Sequence, residues 1–284
     1  MEFHGIANLR IPWSRMSDFY PWSEAPEADF GVIGDPVGHS LSPRMHTAAF
    51  EALSLPYRYV AIQVPTGKVA TALARLESLG YRGINVTVPH KEEALAWASQ
   101  VESLARRVRA ANTLRLADKS CINTDAPGFI DTLKAFDPPR RTALVLGAGG
   151  SARAIAVALL TAGYNLYLYN RTPAKVEALA SELKIPAYQI RETADPSGVS
   201  LIVNTTSASL KNDKLPIQWE RAEKGALAYD LMYGKEPTPF LQSAAQRGLA
   251  TMDGRAMLVA QGARAFKWWL GIDPPRDVML EAIL

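Results

Sequence analysis

Three polar residues in the first half of the chain have types and surroundings that could move a proton or grip an anion. In "INVTVPHKEE", Lys91 comes two residues after Pro89, at a point where a proline opens a helix. A lysine in a first helical turn opposes the macrodipole, and the field there favours the neutral amine, which suits proton transfer. A surface lysine paired with Glu92 and Glu93 would be written with the same letters. In "NTDAPGF", Asp125 stands just before another helical stretch, where Thr124 or Asp125 can serve as cap. Asn112, in "AANTL", can end a turn.

"GDPVGHSLSPRMH" raises a second question. Ser42 before Pro43 fits an N-cap followed by proline at the first helical position. Ser40 is left over, and two hydroxyls beside a helix start form a small anion site suited to a carboxylate. His39 and His46 in the same stretch are read as local hydrogen-bonding groups rather than ligands.

The second half carries a cofactor signal. In "TALVLGAGGSARA", Gly147, Gly149 and Ala152 occupy the G-x-G-x-x-G/A places after an apolar run and ahead of a helical one. The first glycine permits a tight turn, the second lets a pyrophosphate approach the backbone, and the small third residue lets helix and strand pack closely. About 20 residues on, where an acidic side chain would hold the ribose of NAD, the chain reads "NRTPAK". Asn170, Arg171, Thr172 and Lys175 supply cations and no carboxylate. A guanidinium suits a 2′-phosphate, so NADP is favoured.

The surrounding elements alternate. "FGVIG", "YRYVAIQV" and "RGINVTV" read as strands separated by helical stretches, which implies βαβ units and a parallel sheet. After Pro138-Pro139 the pattern restarts, and "VSLIVNTTS", "GALAYDLM" and "GLATM" look like buried strands because their apolar runs are continuous. From Gly254 onward the chain reads as helical. Its 284 residues are enough for two domains, and its net charge of +3 argues against nucleic acid or an anionic membrane as partner. Cys121 is the lone cysteine, and the four histidines form no HExxH motif, so no metal is expected. No apolar run is long enough to span a membrane, and the first 28 residues do not read as a signal peptide, so the protein is expected in the cytoplasm.

Taken in order, "GDPVGHSLSPRMH", "INVTVPHK", "ANTL", "NTDAPG", "VLGAGGSARA", "NRTPAK", "NTTS", "DLMYGKEPTPFL" and "DGRAMLVAQGA" resemble the shikimate dehydrogenase family from Phe30 to about Trp269. The resemblance implies reversible NADPH-dependent reduction of 3-dehydroshikimate to shikimate, a step of aromatic amino acid biosynthesis. It also implies an α/β substrate domain over 29–127, a Rossmann domain over 128–256, and C-terminal helices over about 257–284 that return to the first domain. The active site would lie in the cleft between them. By resemblance Ser40 and Ser42 hold the substrate carboxylate with Tyr233 nearby, and Thr87, Lys91, Asn112, Asp125 and Gln261 surround the ring hydroxyls. Lys91 and Asp125 are the implied catalytic pair. The phosphate loop is Gly147, Ala148, Gly149, Gly150, Ser151 and Ala152, with Asn170, Arg171, Thr172 and Lys175 as the 2′-phosphate clamp. Thr205, Thr206 and Ser207 match the loop by the nicotinamide ribose, and Leu231 and Gly254 match nicotinamide contacts.

The chain departs from the family pattern at Thr47, in "RAANTL", and at Ala208-Ser209, where a glycine is usual and the loop is expected to be stiffer or shifted. Residues 1–28 read as an N-terminal extension whose role the sequence does not reveal. Their removal is expected to leave folding intact, with Trp13 and Trp22 as aromatics able to anchor it. Two rival expectations are a quinate/shikimate dehydrogenase of broader specificity and a non-catalytic metabolite-binding relative. A homodimer is an open expectation.

Overall fold

The computed structural model describes residues 19–189, 192–211 and 213–284. The first half contains β1 (Tyr20–Pro21), β2 (Phe30–Gly34), α1 (Ser42–Ala52), β3 (Tyr59–Gln63), α2 (Val69–Ser78) and β4 (Gly83–Val86). It continues with α3 (Lys91–Trp97), β5 (Gln100–Val101), α4 (Ser103–Val108), β6 (Thr113–Arg115), β7 (Ser120–Ile122) and α5 (Asp125–Thr132). Every residue of β2 and β4 is buried, as expected for central strands covered on both faces. Helix α2 buries Val69, Ala72, Leu73 and Leu76, the spacing of one helical face.

The first sheet has the order β1-β3-β2-β4-β6-β7-β5. It is mixed rather than parallel throughout: β6 runs antiparallel to both β4 and β7. For the β6–β7 pair the physical reason is their short link, in which Lys119 takes a left-handed φ of 51°. A link of that length can only reverse the chain, since a parallel neighbour needs a long crossover.

A further correction concerns residues 1–28. Strand β1 pairs in parallel with β3, matching Tyr20 with Ile62 and Pro21 with Gln63. Ala25 is buried in the core around Ile62 and Leu73, Trp22 packs against that core, and the Tyr81 hydroxyl donates to the Pro26 carbonyl at 2.8 Å. The first sheet therefore begins near Tyr20, not Phe30. Trp13 lies outside the described residues.

The second half contains β8 (Thr142–Leu146), α6 (Gly150–Thr161), β9 (Asn165–Tyr169), α7 (Pro173–Leu183), β10 (Ala187–Gln189), β11 (Leu201–Asn204), β12 (Leu227–Asp230), α8 (Pro239–Ala245) and β13 (Ala250–Met252). These six strands are parallel, in the order β10-β9-β8-β11-β12-β13, the doubly wound arrangement with its reversal between β8 and β11. Strand β13, expected to be buried, is an exposed edge: Ala250 and Thr251 face solvent because β12 pairs with it on one side only.

The chain ends in α9 (Arg255–Leu270) and α10 (Arg276–Glu281), broken at Gly271 by a left-handed cap. Phe266 of α9 and Met279 of α10 join Phe30, Met45 and Phe50 in one cluster, so the chain returns to its first half. Trp269 stacks on Phe30 with ring centroids 4.9 Å apart, and Phe266 lies 5.3 Å from Phe50. Among the described residues no helix is long and apolar enough to cross a membrane.

Candidate active site

A cleft of about 570 Å³ lies between the two sheets. Lys91, the first residue of α3, and Asp125, the first residue of α5, meet in it with Nζ 2.8 Å from Oδ2. Lys91 retains a quarter of its side-chain exposure and Asp125 about a tenth, so the pair is sheltered yet open to a ligand. Neither Thr124 nor Asp125 caps α5 through its side chain. Asn123 takes that role instead, its Oδ1 accepting from the Ala126 N–H at 3.1 Å. Both carboxylate oxygens of Asp125 stay available to other partners as a result.

Asn112 takes the second of those oxygens. Its Nδ2 donates to Asp125 Oδ1 at 2.9 Å and to Thr124 Oγ1 at 2.9 Å, and lies 3.3 Å from Gln261 Oε1. Its Oδ1 accepts from the Thr124 N–H at 2.7 Å, which fixes the amide. Gln261 reaches this point because α9 crosses α5 closely. A Cβ on Gly128 would stand 2.8 Å from the Gln261 backbone nitrogen. One turn on, Arg264 clamps Asp131 with two hydrogen bonds of 2.7 and 3.0 Å. Burial alone would raise the Asp131 carboxyl, but hydrogen bonds from Arg264 and Lys134 outweigh it and hold the group below its ordinary range.

Ser40, Ser42, Thr87 and Tyr233 line the same cleft as Lys91. The capping assignment there is reversed from the sequence expectation. Leu41 is the N-cap of α1 and makes no side-chain cap bond; Ser40 Oγ accepts from the Ser42 N–H at 3.3 Å. Ser42 is already the first helical residue, so its own hydroxyl cannot turn back to the helix start. His46 is stacked on Tyr59 and has no hydrogen bond from either ring nitrogen, rather than the local bonding expected of it. His39 lines the cleft.

The opposite wall is the start of α6. Gly147 has φ of +120°, a conformation that favours glycine, and its Cβ position is filled by the Thr205 hydroxyl. Its N–H donates to the Tyr169 carbonyl at 2.8 Å, which ties the turn to β9. Beyond it, a Cβ on Gly149 or Gly150 would meet nothing within 4 Å, and the helix start has no side-chain cap. The first N–H groups of α6 thus face open space, as a phosphate-bearing cofactor requires. Gly149, Gly150, Ser151, Thr205, Ser207, Leu231 and Gly254 all line the cleft. Ala148 packs against the core, Ala152 is buried beneath the helix, and Thr206 turns away to bond Asn204 Oδ1 at 2.8 Å.

Asn170, Arg171, Thr172 and Lys175 do not line the cleft. They stand at the end of β9 and the start of α7, where Asn170 Nδ2 donates to the Thr172 carbonyl at 3.1 Å. Arg171 and Lys175 are exposed, and neither pairs with a carboxylate among the described residues. This leaves both cations free to receive an anionic group.

Sequence inspection missed the group that aligns the loops on this side. Asp230, fully buried at the end of β12, accepts from Ser209 Oγ at 2.6 Å, Thr238 Oγ1 at 2.7 Å, Asn204 Nδ2 at 2.9 Å and the Met232 N–H at 3.0 Å. Burial pushes its carboxyl up, against the pull of those hydrogen bonds. Ser209, where the family pattern has a departure, therefore anchors the loop after Ser207. An ionisable residue closing the apolar run "GALAYD" was the available signal.

A doubly wound parallel sheet with an open glycine turn at its strand-order reversal, facing a lysine–carboxylate pair across a shared cleft, defines a two-domain dehydrogenase of the nicotinamide-dependent class. Residues 32–114 match the model of the shikimate dehydrogenase substrate binding domain, and 254–284 that of the shikimate 5′-dehydrogenase C-terminal domain. The chain is 43% identical over 267 residues to the shikimate dehydrogenase (NADP(+)) of Moorella thermoacetica, covering 87% of this chain and 90% of that protein. It superposes with a TM-score of 0.83 on the shikimate 5-dehydrogenase of Thermus thermophilus in complex with NADP(H) and shikimate, at 40% identity and with 90% and 98% of the two chains covered. A 5-ketofructose reductase from Gluconobacter sp. strain CHM43 gives a TM-score of 0.82 at 29% identity, covering 90% of this chain and 97% of that one. The chain belongs to the shikimate dehydrogenase family.

Proposed function

We propose that this protein catalyses the reversible NADPH-dependent reduction of 3-dehydroshikimate to shikimate. The observation that carries the reading is the Lys91–Asp125 pair, held at 2.8 Å in a cleft that also exposes the start of α6. The bound nicotinamide supplies or accepts the hydride. As negative charge builds on the substrate carbonyl oxygen, the Lys91 ammonium stabilises it and delivers a proton to it. Asp125 orients Lys91 through Oδ2, while Asn112 holds Oδ1 at 2.9 Å. In the reverse direction Lys91 with Asp125 takes the proton back.

Ser40 and Ser42 donate to the substrate carboxylate, with Tyr233 beside them, and Thr87, Asn112 and Gln261 surround the ring hydroxyls. The open N–H groups after Gly149 would hold the pyrophosphate, Thr205 and Ser207 would hold the nicotinamide ribose with Thr206 bonded behind them to Asn204, and Leu231 and Gly254 would line the nicotinamide site. Asn170, Arg171, Thr172 and Lys175 take the 2′-phosphate. In this reading residues 29–127 with 257–284 form the substrate half and 128–256 the cofactor half. The enzyme works in the cytoplasm, where a biosynthetic reductase meets NADPH, and light scattering tests for a homodimer. Turnover of shikimate and quinate, each with NADP and with NAD, tests the whole reading. Shikimate with NADP is expected to be fastest; faster turnover of quinate or with NAD would shift it to the broader sibling activity, and no turnover would leave only a binding protein.

A further inference from the structure

Tyr59 lies on β3 behind the substrate wall and does not line the cleft. It is 2% exposed, and its hydroxyl donates to Asn85 Oδ1 at 2.8 Å. Asn85 does line the cleft, and its Nδ2 donates to the Asn112 carbonyl at 3.2 Å and to Thr113 Oγ1 at 3.1 Å. One buried hydroxyl therefore stands behind Asn85, whose amide leads on to Asn112 and so to Asp125. The ring cannot swing away, because His46 lies parallel to it with centroids 4.4 Å apart and planes 5° apart.

A side-chain amide has two orientations that exchange donor and acceptor. The Asn112 carbonyl, an acceptor only, selects the one that turns Nδ2 toward it, and the Tyr59 hydroxyl then supplies the donor that Asn85 Oδ1 needs. We propose that Tyr59 is a positioning residue: its hydroxyl holds Asn85 Oδ1, and with it fixes the Asn85 side chain in the cleft wall beside Asn112, where the ring hydroxyls of the substrate are gripped. Without that hydroxyl Asn85 Oδ1 loses its donor, and the amide is held in the cleft wall from its Nδ2 side alone. The cofactor wall, built on the other sheet, is untouched. This inference rests on the reading of the cleft as a shikimate site.

Tyr59→Phe keeps the ring and its stack on His46. Initial rates with shikimate and NADP, together with a thermal melt, give four readouts. The expected result is a rise of about fivefold to tenfold in the shikimate KM, with kcat and the NADP KM within about twofold of wild type. A merely structural tyrosine would not split the two KM values. An unchanged shikimate KM would overturn the proposal, as would a parallel loss in every parameter with a lowered Tm. A wild-type protein that fails to turn over shikimate would sink the functional reading first and this inference with it, which separates the two failures.

Discussion

Lys91 Nζ sits 2.8 Å from Asp125 Oδ2, although the two residues are 34 positions apart and open two different helices. Each helix start delivers one partner to the cleft, and Asn112 fixes the carboxylate from the other side at 2.9 Å. Lys91→Ala removes the proposed proton donor and leaves the proposed grip on the rest of the substrate. Its kcat should fall by about 10²–10⁴-fold while the shikimate KM changes little. Steady-state kinetics check this, and a variant keeping more than about half of kcat would end the proton-transfer role.

Arg171 stands exposed at the end of β9 with no carboxylate partner among the described residues. A phosphate that NAD lacks is its expected partner. Arg171→Ala should raise the NADP KM by about 10–100-fold and leave the NAD KM nearly unchanged, since charge-assisted hydrogen bonds contribute about 1.5–3 kcal/mol. Equal losses for both cofactors would reject the clamp.

Ser40, rather than Ser42, bonds the backbone at the start of α1, with 3.3 Å from its Oγ to the Ser42 nitrogen. Ser40→Ala should therefore cost twice. The shikimate KM should rise about tenfold, and urea unfolding should show a stability loss of about 0.5–1 kcal/mol. A full KM effect with unchanged unfolding would mean that the local bond contributes nothing.

Deleting residues 1–28 removes the β1 pairing with β3, the buried Ala25 and the Tyr81 bond to Pro26. Apolar burial and a partly buried hydrogen bond of this extent are worth about 2 kcal/mol. The truncated chain should melt several degrees lower, as differential scanning calorimetry would show. An unchanged Tm would restore the view of this segment as dispensable.

Burial lowers the His46 imidazole from 6.5 to about 3. Below pH 6.5 the unfolded chain takes up a proton that the folded chain refuses, so stability falls as pH drops from 6.5 toward 3. Between about pH 6.5 and pH 5 the loss should be about 2 kcal/mol. Urea unfolding across that window, compared with His46→Phe, checks it: the variant should lose correspondingly less, and equal slopes would show that other groups set the acid limit.

The sequence alone determined the features that depend on neighbouring residues. The apolar run "FGVIG" had to be a covered strand, and it forms β2 over those residues. "LGAGGSA" had to turn sharply and open a helix, because glycine at Gly147 permits a φ of +120° and small residues permit close packing. The segment "NRTPAK" needed no fold to be read as free of carboxylates and carrying charge suited to a phosphate. Tertiary structure alone decided which distant groups meet. Asn112 reaches Gln261 across 149 positions, β6 reverses between β4 and β7, and Tyr20–Pro21 finds an edge on β3. It also moved the local bond from Ser42 to Ser40, by starting α1 at Ser42 itself. Spacing along a chain fixes periodicity and turn geometry, but contacts between remote segments depend on how helices and sheets pack, and no local pattern records that choice.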